Sequence, residues 1–593
     1  MDTLQSTSRF LMQATLGVNY ATIKQVSETG IENWLNTQLN MPVKSHQTFE
    51  SSTRNIWQHF RHKLLDKHGE AAINGEGNNP ALPYKWYFHM AWWQHTLASH
   101  DELLRQRVAQ ALSEILVISD NSALELDAVG MASFYDLLYN HAFGNYAELL
   151  YDVSLHPCMG VYLSHMNNRK ADPAQHIHPD ENYAREVMQL FSIGLYELNP
   201  DGSRKTGPDG QPVATYDNTD IKQLARVFTG LKAHSYQHEW NTGAWDPSYN
   251  GAAVGFDDGV EKSWKTVPFV NMTQPMVIEE AYHDSQPMQL LKGHLQLPGN
   301  QSGTQEIRST INALVSHPST APFIARHLIN QLVTSNPSPA YVKAVAAKFG
   351  SKGDLKAVVR EILSWPLQNP VSKASFISAY QEPGNHSATK EIQSQKLKAP
   401  LLRVTQLLRG FNASNQSGRL WLIGDDIQAQ LQQHPLSSPT VFNFYKPDFV
   451  PHGPLERRGL VAPEFELLTS ATAISYVNML YYWFFADYYP AVSSQISTQP
   501  GIHNVAKLDP DRLAANPADK LTLDFSTEQA LARAGRYDEL IDRMSLLLTG
   551  KTNLPVKAQI KAAFSTYADN PLWVVQTVAF MLAISAEFTV QEA

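Results

Sequence analysis

Apolar residues recur at three- and four-residue spacing along most of this chain, the period of one face of an α-helix. The stretch DELLRQRVAQALSEILVIS sets Leu103, Leu104, Val108, Ala111, Leu112, Ile115 and Leu116 on one side and polar residues on the other. The same period predicts helices over Ser6–Leu16, Ile31–Leu39, Pro83–Ala98, Ala128–Asn140, Tyr146–Ser154, Asn182–Leu195, Thr219–Gly230, Ala321–Thr334, Pro339–Lys348, Leu355–Leu363, Pro400–Arg409, Pro463–Phe485, Tyr537–Leu548 and Trp573–Glu587. Alternation of period two is sparse. The chain therefore reads as all-α, one large helical domain over residues 1–593.

Two excursions break the helical period. Residues 197–219 carry turn formers at Asp201-Gly202 and Asp209-Gly210, which predict a surface hairpin. Residues 234–303 interleave Trp, Tyr, Gly and Asp without period and read as an irregular loop over a candidate site, since long aperiodic loops are often binding elements. Linker-like stretches lie at Gln381–Lys396 and Asp487–Pro517. No repeat of fixed period is present, which argues against a solenoid. His-Pro pairs at 156–157, 178–179, 317–318 and 434–435 are candidate helix starts, because proline at the first helical position gives up an N–H that would be unpaired anyway.

Composition narrows the class. With 43% hydrophobic and 17% charged residues, 12 Trp, 24 Tyr and 24 Phe, the chain has the aromatic load of a packed globular protein. The net charge of −9 comes with basic residues scattered rather than clustered, so no nucleic-acid partner is expected. The low charge density suits a polar neutral ligand such as a glycan or peptide. Cys158 is the one cysteine, so no internal disulfide can form, and scarcity of thiols is compatible with an oxidising compartment. The opening MDTLQSTSRFLMQATLG lacks the basic and long apolar regions of a signal peptide. The most apolar windows, Met479–Ala486 and Pro571–Ser585, are shorter than the roughly 20 residues a spanning helix needs, so no membrane span is expected.

The densest polar chemistry opens one predicted helix, HPDENYAREVMQLFSIGLYELNPDG, from His178 to Gly202. If Pro179 is its first residue, Asp180 and Glu181 sit at the positive end of the helix dipole. Glu181 and Arg185 form an i, i+4 pair, and Asn182, Glu186 and Gln189 continue a polar stripe, while Tyr183, Val187, Leu190, Phe191 and Leu195 face the core. Two readings of the stripe stay open, a solvated or Arg–Glu-braced face and a site. As a site, His178, Glu181, Asn182, Arg185 and Glu186 are candidate catalytic residues, with Glu186 as base and His178 as acid. His176 and His178, alternating in an extended segment, would project together as candidate ligands for a divalent metal. His283-Asp284 reads either as a helix start capped by Asp284 or Ser285, or as an imidazole and carboxylate delivered to substrate.

The Pro-rich aromatic stretch Ser437–Ser470 reads as a packing plug or as a grip on a polar polymer through groups such as Asn443, Tyr445, Arg457 and Arg458. Glu197, Asn199, Asp201 and Gly202 resemble half a calcium loop, but Pro208 stands where its last carboxylate belongs. No nucleophile elbow, P-loop, dinucleotide fingerprint or H-E-x-x-H is present.

RFLMQATLG, IENWLNTQL, LRQRVAQALSEILVIS, HPDENYAREVMQLFSIGLYELN, DIKQLARVFTGL, HDSQPMQLLKG, FIARHLINQLVTSNPSPAYV, APLLRVTQLLRGF and AISAEFTVQ, in this order, resemble the domain-of-unknown-function 1800 family of bacterial proteins. The resemblance implies a large, mainly helical unit, often exported to the periplasm or beyond and often encoded beside a family similar to sulfatases. Its Asn-Tyr-Ala-Arg-Glu signature falls on Asn182, Tyr183, Ala184, Arg185 and Glu186. From residues and resemblance together the chain is expected to be an exported protein, either an enzyme, such as a hydrolase, using acid–base or metal-assisted chemistry on a polymeric or peptidyl substrate, or a non-enzymatic binding or assembly partner of a sulfatase-like protein.

Overall fold

The fold is that of a computed structural model, and the described residues are 3–43, 48–68, 83–239, 244–245, 268–369, 395–422, 424–486, 489, 492–496, 505–507 and 517–592. Helices dominate, and one apolar cluster of the described residues takes in positions from Phe10 to Phe588. Its two ends are stitched into the same body. Helix Leu4–Ala14 packs on helix Tyr537–Thr549, and strand Val590–Glu592 pairs antiparallel with Gln395–Leu397. The all-α expectation holds, with small sheets as additions.

At the centre lie two helices buried on every side, Leu103–Ser113 and Pro400–Gly410, although each carries arginines and glutamines. Periodicity alone assigns those polar residues to a solvated face. They are buried because they serve neighbouring helix ends, whose last carbonyls have no partner within their own helix. Arg409 donates to the carbonyls of Thr96 and Ser99 (3.0 Å), at the end of helix Trp86–Ala98, and to Gly17 O (2.7 Å) and Gln106 Oε1 (3.0 Å). Arg105 donates to Met41 O (2.8 Å) and Tyr139 O (3.3 Å), which close two further helices. Arg107 reaches Gln331 O, and Lys396, from the strand leading into the second central helix, reaches Asn330 O and Gln331 O, all at the end of helix Thr320–Leu332. Cations placed there meet the negative end of each helix dipole. Burial still weighs on the arginines, and Arg409 is lowered to about 10.

Several local expectations shift. The segment expected as one helix over Pro463–Phe485 splits into a 3-10 turn, Pro463–Leu467, and helix Ser470–Phe485, because Thr469 and Thr472 form a reciprocal capping box. The signature helix spans only Asn182–Gln189: Gly194 adopts φ +69°, and the N–H groups of Ile193 and Gly194 turn back to Met188 O. Of the His-Pro pairs, His156-Pro157 opens a helix, with His156 Nδ1 accepting from Cys158 N–H at 3.2 Å; the other three lie outside helices. Within that helix Cys158 is buried beneath Gly130, and burial pushes its thiol well up.

Residues 197–219 double back through the two Asp-Gly turns, with Gly202 and Gly210 at positive φ and Asp201 and Asp209 accepting from Ser203 N–H and Gln211 N–H. Most of 240–267 lies outside the described residues, as does most of the two linker-like stretches. The described flanks of 234–303 are more regular than expected. His234–Glu239 pairs with Pro268–Asn271 and Ala244–Trp245, Leu231–Lys232 with Val277–Ile278, and Met288–Leu290 with Leu295–Leu297, all antiparallel. No helix among the described residues is long and apolar enough to cross a membrane.

Lys398 tests this buried-cation framework. Its ammonium lies among Gln406 Oε1 (2.8 Å), Leu548 O (3.4 Å) and the Phe588 ring (4.3 Å), and burial lowers it to about 7. The unfolded chain therefore binds more protons than the native state between about pH 7 and the ordinary lysine value of 10.5, so this group makes stability rise with pH across that window. Lys398→Met is expected to remove a slope of up to about 1.4 kcal/mol per pH unit just above neutrality, read from urea-denaturation midpoints of both proteins as a function of pH.

Candidate functional site

The approach to the signature helix is a tight loop. Asp172 caps the 3-10 turn Pro173–Gln175, His176 ends that turn in the left-handed region (φ +55°), and Ile177 pairs back onto Asp172. The premise of an extended His176-x-His178 run therefore fails, and both imidazoles are exposed. Among the described residues no group of three or more His, Cys, Asp or Glu is placed to hold a metal ion, so these two histidines lack a third protein donor of that kind there. Pro179 is not the first helical residue either. Asn168 fixes the entry, accepting from Asp180 N–H on Oδ1 (2.8 Å), and Asp180 in turn accepts from Asn182 N–H (2.8 Å).

From this start the helix divides its side chains. Asn182 is exposed, and Glu181 and Arg185 form a half-exposed pair at 3.8 Å. Tyr183 turns inward, stacks on His165 with ring centres 3.9 Å apart, and shares a 2.6 Å hydrogen bond with Ser154. Among the polar residues at the opening, Glu186 alone is buried. Its Oε2 has no hydrogen-bond partner among the described residues, and burial pushes its carboxyl above the usual range against the pull of Arg185. The phenols of Tyr162 and Tyr216 are close enough to feel its charge.

One turn beyond Glu186, Leu190 lines a cavity of about 60 Å³, room for a few waters or one small functional group. Ile115 and Val117 form one wall, His327 and Asn330 another, and the segment Val441–Pro447 a third. Glu114 closes the base. It accepts from Tyr445 Oη (2.9 Å), Gln433 Nε2 (3.1 Å), Asn443 Nδ2 (3.2 Å) and Gln110 Nε2, filling its acceptor sites. Burial pushes Glu114 up while Tyr445, Arg107 and Asn443 pull the other way. Beside it Glu464 pairs with Lys396 at 2.7 Å, both side chains only 2% exposed. His327 is lowered to about 4 by burial and so is neutral at ordinary pH.

Other expected site residues make their partners elsewhere. His283 is sealed between Glu306 (Nε2 to Oε2, 3.2 Å) and Thr229 O (3.0 Å). Asp284 takes a two-pronged contact from Arg226 (2.8 and 3.1 Å), and a β-hairpin follows it instead of a helix, so neither Asp284 nor Ser285 is a helix cap. Arg457 lies exposed in the 3-10 turn Glu456–Arg458, whereas Tyr445 is buried at the cavity.

A second polar cluster has no short-range sequence signal. His89 Nε2 lies 2.8 Å from Asp120 Oδ2, and Ser437 Oγ donates to the same oxygen at 2.7 Å. A serine nucleophile needs the imidazole between itself and the carboxylate. Here one ring nitrogen, His89 Nε2, meets both the carboxylate and, at 3.5 Å, the serine oxygen, so the three side chains form a triangle that ties three segments together. Gly424 packs against it: a Cβ there would lie 2.4 Å from His89 Nδ1 and 2.6 Å from His434 Nε2.

The Glu114 network is expected to respond unequally to truncation. Tyr445→Phe, which removes one donor and leaves three, should cost about 1–2 kcal/mol in chemical denaturation. Glu114→Ala, which leaves Arg107 and four oriented groups without their carboxylate, should cost about 3–5 kcal/mol.

Neither a curated protein nor a solved structure matches this chain. One family model does, over residues 9–590, described as protein of unknown function (DUF1800). From Arg9 to Val590, through the signature helix and every wall of the cavity, the chain belongs to that family.

Proposed function

We propose that Glu186, together with the neighbouring cavity based on Glu114, is the working site of an acid–base enzyme that handles a small polar group, such as an amide or hydroxyl, presented by a peptide or glycan chain. The observation that carries this reading is Glu186: a buried carboxyl with raised proton affinity and an oxygen without a partner among the described residues, one turn from a cavity wall. Proton-transfer groups need such tuning, and a desolvated carboxyl is poised to give up its proton to a bound ligand. Tyr445 and Asn443, held by Glu114, supply a fixed polar floor against which a substrate group is oriented. The size of the cavity, about 60 Å³, limits what enters to the tip of a chain or one pendant group, with the rest lying across the exposed opening of the helix at His178 and Asn182.

This assignment moves the chemistry inward from His178 to Glu186 and leaves Glu181 and Arg185 as a pair that sets the field at the entrance. Export, as the family resemblance implies, would place a polymeric substrate within reach.

Glu186→Gln keeps the shape and removes the proton. Assayed against chromogenic peptides and glycosides and against peptide and glycan polymers, the wild-type chain is expected to release product, and the variant to lose about 10²–10⁴-fold in rate with an unchanged thermal midpoint. The pH profile of the wild type should show a limb above the ordinary glutamate range that the variant lacks. Full activity in Glu186→Gln, or no product from the wild type on any of these substrates, would overturn the reading.

A further inference from the structure

Helices Ser470–Phe485 and Pro571–Ala583 lie side by side at the surface. They run antiparallel, since Tyr476 Oη donates to Ala583 O (2.9 Å) while Tyr481 and Phe485 contact Phe580 (6.4 and 5.6 Å between ring centres). Neither helix contains a charged residue. A surface helix ordinarily turns charged and polar residues to water. Here the outward residues are Ile474, Tyr481, Tyr482 and Trp573, exposed by 62, 53, 54 and 53%, with Val477, Phe485, Leu572 and Ile584 beside them.

The inward faces are conventional: Tyr476, Met479, Leu480, Trp483 and Phe484 on the first helix, Val574, Val575, Val578 and Leu582 on the second. The apolar outer face is therefore an addition to a helix pair that is already packed. Spacing along the first helix, Ile474, Val477, Tyr481 and Phe485, is i, i+3, i+7, i+11, one continuous stripe, and the Tyr481–Phe580 and Phe485–Phe580 contacts join it to the second helix.

We propose that this two-helix face is an interface with a second copy of this chain. The area argues for it. A half-exposed aromatic presents roughly 100 Å² and an aliphatic somewhat less, so the eight outward residues present on the order of 600–800 Å². That is at or above the largest apolar patch of a typical monomer and close to the roughly 800 Å² each partner contributes to a standard interface. Charge argues for the same occupant. The chain carries a net charge of −9, so most of its surface repels a copy of itself, but two uncharged helices meeting their own copies bring no charge of either sign into contact. A face built for a charged partner would show complementary charges among the apolar residues, and the polar groups of these two helices are uncharged, among them the tyrosine hydroxyls, the Trp573 indole, Ser475, Asn478 and Gln576. An antiparallel helix pair also meets itself across a two-fold axis as a four-helix layer, the closed geometry of most homodimers.

The test is sedimentation equilibrium and light scattering of the full chain across a concentration series, with Tyr481→Glu and Trp573→Glu compared under the same conditions. Both positions are more than half exposed, so circular dichroism and thermal midpoint should match the parent. The expected result is a particle of twice the 66.4 kDa chain mass that dissociates on dilution, with each glutamate weakening it at least ~30-fold. A parent monomeric at every concentration would overturn the proposal, as would a dimer that both variants form equally well. Vesicles of zwitterionic and anionic lipid provide the contrasting arm: a monomeric parent that co-sediments with them, and loses this in Trp573→Glu, would assign the face to a membrane surface instead. Because these readouts involve no substrate, they stand or fall apart from the role given to Glu186.

Discussion

Guanidinium and ammonium groups locked inside the protein, each bonded to the last carbonyls of a neighbouring helix, are the constraint on which this architecture depends. Arg105 and Arg107 project from one central helix, Arg409 from another, and Lys396 and Lys398 from the segment leading into the second. Between them they close helices that end at Ala98, Asn140, Leu332 and Thr549. A helix end buried without partners is costly, because each free carbonyl forfeits its hydrogen bonds with water. Placing a cation at each end meets that demand and sets the dipole in its favourable sense. The central helices thus act as an organiser for elements hundreds of residues apart in the chain.

The same network shapes the candidate site. Arg107 and Lys396 both bond Gln331 O on one side and lie against Glu114 and Glu464 on the other, so the floor of the cavity is an extension of the framework. Rigid polar groups around a small void are the arrangement in which a bound group is oriented without reorganising its surroundings. Glu186 differs from that floor. Glu114 has four donors, whereas Glu186 has an oxygen with none among the described residues, and an unmet acceptor in a buried place is where a ligand gains most by donating a hydrogen bond.

Much of the helical framework was legible because its stripes are clean. Leu103 to Leu116 and Tyr537 to Leu548 repeat at the helical period and fall where expected. Helix Phe49–His68 escaped because the buried apolar residues among its described side chains, Phe49, Ile56, Trp57 and Phe60, stand among many polar ones. The candidate site was half legible. Glu186 stood out through the residues around it and Tyr445 through its aromatic context, but Glu114 sits at the end of an ordinary amphipathic run, and nothing local distinguishes a buried carboxylate from a solvated one. His283 and Asp284 misled for the opposite reason: their partners, Glu306 and Arg226, come from segments that sequence spacing does not connect. The short strands of 277–297 were missed because two- and three-residue pairings leave no alternation to read.

Cys158 carries a consequence for where such a chain can fold. The nucleophile in thiol chemistry is the thiolate, and here the sulfur is held protonated and enclosed behind Gly130. With no second cysteine among these 593 residues, no disulfide can form within them. Folding of these residues therefore asks nothing of disulfide-forming catalysts.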